Sequence, residues 1–544
     1  MTLRTFSRFQ AVWCCLLLGL LAGPVPAQMG YDVPDGGAFR YGESRPLTTL
    51  DPITSNSMES LRLCELIYES LITQDVRGNF VPQLAETLMV SPNGLDVTVK
   101  LRKGRRWTSH FDKNLEYEFT AEDVAATVKA IKNPNSIKSP YLAANLKQIE
   151  SCTVRDPFTV VFRLARPNVN PEALFTFKII PGRALPPGEK IITKSCALAT
   201  SSPVGTGCYT AVLTQDAEVR LKVNPRHLPR PAHISSVKMI CELDPSMLKG
   251  KLQGGNIDAI IDVPVTDIRT YDDDFNFQVK AYNSMTFDYL ALNHRHPLLK
   301  QKAFRQALTL ATDREGIIRQ QYLGNGAVIS GPYPPASAWL NLDAEPWPYD
   351  PGAAREILDG LGLRDTNGDG LREYQGRPIV LKAKIPVGLD RENTASRTMN
   401  FIQANWRSVG LGLDIVPVEF RVLRNQLFNY HDFDVAFQSW NFDEANDVSS
   451  LFATDSYPNN YVSYSNYQVD AAIAAIKAAR DHDQRVALSR NLHGILRDDC
   501  PYVFLWSLKK CAAISHKIKN VEIHPFRFFT FIDQWFIPYD LQTE

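Results

Sequence analysis

Residues 432–443, reading DFDVAFQSWNFD, limit the fold more than any other stretch of the chain. Phe433, Val435 and Phe437 fall on alternate positions, the period of a buried strand. That strand delivers Trp440 and Asp443 just past its C-terminal end. Strand ends are where α/β proteins present groups to ligands. An aromatic ring beside a carboxylate suits a ligand with a cationic or amine end. An ordinary core strand followed by a surface turn reads the same way, so the rest of the chain has to decide.

The chain has 544 residues, 44% of them hydrophobic, which is too much for one compact core and predicts two or three domains. Lys plus Arg and Asp plus Glu both number 59. With no basic tract and no zinc-finger spacing, nucleic acid is not an expected partner.

Arg4 and Arg8 precede an apolar run over 11–23, and Val25-Pro26-Ala27 offers small residues for cleavage. This is a secretory signal pattern over 1–27, and the run is too short to span a membrane. Cys14 and Cys15 lack the small-residue context of lipid attachment. The expected mature chain is exported and soluble, beginning near Gln28. It would keep seven cysteines, an odd count that leaves at least one thiol free or used between chains. Cys196 and Cys208 would be the intramolecular pair if one forms, but two buried thiols are the favoured reading.

Along the chain, a strand from Phe39 and Tyr41 leads to a helix carrying Leu61, Cys64, Tyr68 and Leu71. Leu95, Val97, Val99 and Leu101 share one strand face, and Phe158, Val160, Phe162 and Leu164 another. Thr120 and Asp123 resemble a capping box. A helix over 245–253 then runs through glycines into Ile257-Asp258-Ala259-Ile260. From residue 289 helices and strands alternate, the signature of an α/β domain. The aromatic-rich end, with Phe526, Phe528, Phe529, Phe531, Trp535 and Phe536, reads as closing strands and core of the first domain.

Several groupings invite a function and do not support one. Asp365, Asn367, Asp369 and Gly370 begin like a calcium loop, but Gly376 stands where a bidentate Glu is needed, so a polar turn is expected. No zinc-protease, nucleophile-elbow or phosphate-loop motif occurs. His294 and His296 read as structural or surface residues. The basic run Arg102-Lys103-Gly104-Arg105-Arg106-Trp107 suits a turn after a strand better than an anion site.

Taken together, the segments resemble the family 5 extracellular solute-binding proteins, the oligopeptide, dipeptide and nickel receptors of ABC importers. The resemblance is carried by 66–71 with Asp75, Pro82-Gln83-Leu84-Ala85-Glu86, Leu101-Arg102-Lys103-Gly104 and Phe119-Thr120-Ala121-Glu122-Asp123-Val124. Pro203-Val204-Gly205-Thr206-Gly207 with Tyr209, Phe304-Arg305-Gln306-Ala307 with Asp313-Arg314, Tyr349-Asp350-Pro351 with Ala354, and 432–434 with Trp440 complete it. Two places depart from the pattern. His110-Phe111-Asp112-Lys113-Asn114 replaces a shorter His-Asp-Gly turn, and Cys208 stands where proline is usual.

The resemblance implies an α/β, two-lobed periplasmic binding protein (type II-like, cluster C) with an extra α+β subdomain and a double hinge near 286 and 497. Lobe one would comprise 36–59, 179–285 and 498–544, the subdomain 60–178, and lobe two 286–497. It implies a monomeric periplasmic receptor that delivers a small solute, first of all a peptide, to an inner-membrane ABC permease. It implies no enzyme activity and no cofactor or metal. In peptide-binding members an aspartate three residues after a tryptophan pairs with the peptide amino terminus, a spacing held here by Trp440 and Asp443. An opine, sugar, metal chelate or amphiphile on the same scaffold is the competing reading. A secreted hydrolase is a more distant one, and a receptor that signals without transport a third.

Overall fold

A computed structural model describes residues 33–542 except 56, 76–78, 112, 137, 139–141, 143–145, 169, 186–202, 216–217, 285, 334, 336, 388–390, 442–446, 457, 480 and 525–526. The expected leader over 1–27, Cys196, Asp443 and Phe526 therefore lie outside the described residues.

The backbone is organised by one strand, Tyr502–Ser515. Its first part pairs antiparallel with Thr286–Leu292, through Tyr502↔Ala291, Phe504↔Tyr289 and Trp506↔Asp288. Its second part pairs with Phe277–Asn283, from Lys509↔Asn283 to Ser515↔Phe277. Two bodies thus share one continuous sheet. On one side lie Val435–Asn441, Val380–Val387 and Gly412–Glu419. On the other lie Ala259–Ile260, Ala38–Glu43, Ser236–Cys241, Glu218–Val223 and Tyr209–Gln215. The chain crosses between them at 283–286 and at 507–509. The second crossing lies beyond the expected position near 497, which falls inside the helix His482–Asp499.

Besides a smaller cluster around Leu248, Tyr271 and Phe277, the first body has one large core. Phe39 and Tyr41 of the sheet, Val97, Val99, Val160 and Phe162 of a separate four-stranded antiparallel sheet, and Phe528, Phe529 and Trp535 all belong to it. The aromatic tail fills the core as expected. Its described residues from Phe528 to Trp535 form turns and a short 3₁₀ segment, not the expected closing strands.

The Pro203–Gly207 motif explains how the two sheets of this body join. A Cβ on Gly205 would sit 1.7 Å from Ile67 O, and one on Gly207 2.4 Å from Leu66 O. Only glycine lets this loop lie against the end of the helix Met58–Ile67. Thr120 and Asp123 do form the capping box of Ala121–Lys132. Asp123 also accepts from Trp107 Nε1 (3.0 Å), Tyr117 Oη (2.5 Å) and Gly182 N (2.8 Å), tying the basic run and the loop at 181–184 to one helix start.

The second body packs helices on both faces of its sheet. Leu290, Val435, Phe437, Val503 and Leu505 face one core. Phe287, Tyr289, Ala436, Tyr502 and Phe504 face the other. Ala436 is as buried as Val435, so the strand is covered on both sides.

Candidate functional site

Two walls meet at the crossing of the hinge strands. In the second body, Trp440 is the sixth residue of Val435–Asn441 and pairs with Phe287 at the start of its neighbour. Its half-buried ring packs on an aromatic bed. Tyr289 stacks on Tyr502 with centroids 4.5 Å apart, and its hydroxyl meets that of Tyr461 at 3.2 Å. Trp440 packs against the cluster that holds these rings and stays only half-buried. On the opposite face of the same strand pair, the Asp288 carboxylate accepts from Trp506 Nε1 at 2.9 Å and from the Ser439 hydroxyl. The chain leaves the described residues after Asn441 and returns at Asp447, so Asp443 lies in the intervening segment.

In the first body, Ala38–Glu43 runs parallel to Ser236–Cys241 and to Ala259–Ile260. Crevices at the carboxyl ends of such strands are where open α/β sheets bind ligands. Glu43 ends the central strand there and takes a bidentate pair from Arg62, with Nε–Oε1 and Nη2–Oε2 both 2.7 Å. Burial pushes the Glu43 carboxyl up against the pull of Arg62. Burial alone would lower Arg62, but Glu43 beside it carries it above its ordinary value. Tyr282, on the hinge strand, donates to Ile261 O at 3.0 Å and is pushed up by burial and then by Asp262. Asp262 in turn pairs with Lys510 at 2.6 Å. Ser507 Oγ donates to Thr286 O across the crossing at 3.0 Å.

Sequence reasoning found Trp440 but not Asp288 or the Glu43–Arg62 pair. Glu43 lies 19 residues from its partner, and no local pattern announces a pair formed between a strand end and a following helix.

Other sequence-level candidates resolve into structure. The basic run is a turn: Arg102 donates to Gln83 O and Ala85 O, Lys103 lies over the Phe158 ring, and Arg105 approaches Glu69 at 3.6 Å. Asp365 accepts from Gly368 N and Gly370 N, as an Asx-type turn does. His294 is buried and donates to Pro501 O. Among the described residues no group of His, Cys, Asp and Glu could hold a metal ion, all six cysteines are free thiols, and no helix is long and apolar enough to cross a membrane.

Among the described residues one Ser–His hydrogen bond occurs, Ser330 Oγ to His493 Nε2 at 3.0 Å, and its protonation does not suit Ser330 as a nucleophile. His493 Nδ1 accepts from Asn341 N at 3.0 Å. The proton of the neutral ring therefore sits on Nε2 and is given to Ser330, the reverse of what a general base needs.

The geometry agrees with known proteins. The model of the bacterial extracellular solute-binding proteins, family 5 (middle), matches residues 79–462. The oligopeptide-binding protein AppA of Bacillus subtilis is 25% identical over 512 residues, covering 92% of each chain. The glutathione-binding protein GsiB of Salmonella typhimurium is 25% identical over 502 residues, covering 89% of this chain and 92% of that one. Among solved structures, B. subtilis AppA in complex with a nonapeptide superposes with a TM-score of 0.73 at 23% identity, covering 93% of this chain and all of that one. NikZ of Campylobacter jejuni in complex with Ni(L-His) gives 0.71 at 21% identity, covering 92% and 99%. The fold is the two-lobed α/β binding-protein fold. Proteins of this family act outside the cytoplasm as solute receptors of ABC importers, and they are not enzymes. By its matched sequence and its fold, the chain belongs to the family 5 bacterial extracellular solute-binding proteins.

Proposed function

We propose that the protein, acting as a monomer exported to the periplasm by its leader, captures short peptides by their free amino end and hands them to the permease. Lobe one (36–59, 179–285 and the chain after the crossing at 507–509) with the subdomain 60–178 would close against lobe two (from 286 to that crossing) about the paired hinge strands. Trp440 walls the cleft and Asp443 takes the ligand's ammonium group. The observation that carries this reading is Trp440 itself. It is a half-buried tryptophan held at a strand end near the crossing at 283–286, a position that suits a wall of the cleft. Closure excludes water and lowers the local dielectric, which strengthens an ion pair but penalises any imperfect match. The complexes of AppA with a nonapeptide and of Helicobacter pylori DppA with the peptide STSA lend support from relatives.

A second reading, a non-peptide solute held on aromatic walls, draws on NikZ with Ni(L-His). Calorimetry with short peptides separates the two. Replacing Asp443 with Ala costs about 2–5 kcal/mol of binding on the peptide reading, and acetylating the peptide amino end costs a similar amount. Unchanged affinity in the variant removes the role of Asp443. A failure of every peptide to bind favours the second reading.

A further inference from the structure

A second cavity, of about 110 Å³, lies between the two bodies, walled by the loop at 166–174 on one side and by the helices Tyr467–Ala478 and His482–Asp499 on the other. One water needs roughly 10–15 Å³ measured in this way, so the space holds several waters or one small polyatomic ion. Among the described residues of its lining, Arg166 reaches it from the first body and Lys477 and Arg485 from the second, with one carboxylate, Asp447. Asp447 already accepts from Ser449 N at 2.9 Å. The Arg485 guanidinium is held in place by stacking 4.9 Å over the Trp339 ring. Between the charges sit Ser449 and Ser489, both buried. Among the described residues no hydrogen bond engages either hydroxyl, and no carboxylate pairs with Arg166 or Lys477. Both hydroxyls line the cavity and offer it donors, which an acceptor-rich occupant would engage.

We infer that this cavity is an oxyanion site, taking a carboxylate or phosphate group and contacted from both bodies. An occupant touching both sides binds the apposed arrangement better than a parted one and shifts the population toward it. The oxyanion has two sources, a free ion or the carboxylate end of the captured solute.

The test has two arms. In the first, thermal unfolding of the full mature protein is followed against inorganic phosphate, with chloride at matched ionic strength as baseline. Phosphate raises the Tm of the unaltered protein along a saturating curve. The Lys477→Gln/Arg485→Gln variant falls back to the chloride baseline, and Lys477→Gln alone, at an exposed position, weakens phosphate by several-fold without loss of folding. In the second arm, a peptide is compared with its C-terminal amide. A tenfold preference for the free carboxylate that vanishes in the double variant assigns the site to the captured solute. A phosphate response without that preference assigns it to a free ion. Only this second arm rests on the peptide reading, and complete failure of peptides to bind leaves the first standing. Equal behaviour of phosphate and chloride together with no carboxylate preference, or responses the substitutions leave unchanged, overturns the proposal.

Discussion

The two bodies bury polar groups by different balances of the same means. The first pairs charge with charge. Besides Glu43 with Arg62, Glu65 meets Lys178 at 2.7 Å in a nearly sealed site. Burial works to raise the Glu65 carboxyl, but Lys178 and Arg527 beside it bring it below the usual carboxylate range. The second body has a buried pair of its own, Arg305 with Asp499 at 2.7 Å, but it leans more on backbone carbonyls and neutral rings. Arg314, 3% exposed, donates to Phe504 O (2.8 Å), Ile329 O (3.4 Å) and Trp347 O, and burial pulls it down to about 10. His294 and His493 are both lowered to about 4 by burial. The lesson is that one fold can satisfy the same demand with ion pairs, which resist mild acid, or with neutral histidines, which do not.

The largest effect should come from breaking a pair in the first body. Arg62→Met leaves Glu43 buried and unpaired, costing about 3–5 kcal/mol of stability, whereas adding Glu43→Met recovers most of that loss. Urea unfolding of the single and double variants checks this, and a double variant as unstable as the single one would break the comparison.

Acid should then separate the bodies. A histidine with a folded pKa of about 4 and an unfolded value near 6.5 contributes fully above pH 6.5. Its contribution is lost as pH falls from about 6.5 toward 4. The loss is on the order of 3 kcal/mol for each histidine. Glu65, being lowered, contributes above the ordinary carboxylate range and loses stability only below it. Limited proteolysis in graded urea should therefore show cleavage shifting into the second body between pH 7 and pH 5. His493→Gln should reduce that shift, and uniform cleavage at both pH values would contradict the account.

The smallest effect is expected at Arg314. Its replacement by Met leaves the carbonyls it serves short of a donor, costing about 1–3 kcal/mol. Calorimetric melting should detect the loss without any change in ligand affinity.

What the sequence showed tracks how local each interaction is. The strand carrying Trp440 was readable from its alternation, and the capping box at Thr120 and Asp123 from three residues of spacing. That Asp123 would also bind Trp107 and Gly182 was not readable, because those partners come from 16 and 59 residues away. The buried face of Ala436 was missed because alternation reports one face only. The crossing at 507–509 was hidden for a related reason. Tyr502–Ser515 is one unbroken strand, and its less buried stretch Leu508-Lys509-Lys510 reads in sequence as a solvent-facing interruption, not as a change of partners.

The most direct test of capture by an amino-end ion pair is mass spectrometry of the molecules released when the gently purified mature protein is denatured. The account predicts a set of short peptides with free amino ends, depleted in the Asp443→Ala variant. A single non-peptide mass, retained equally by that variant, would contradict it.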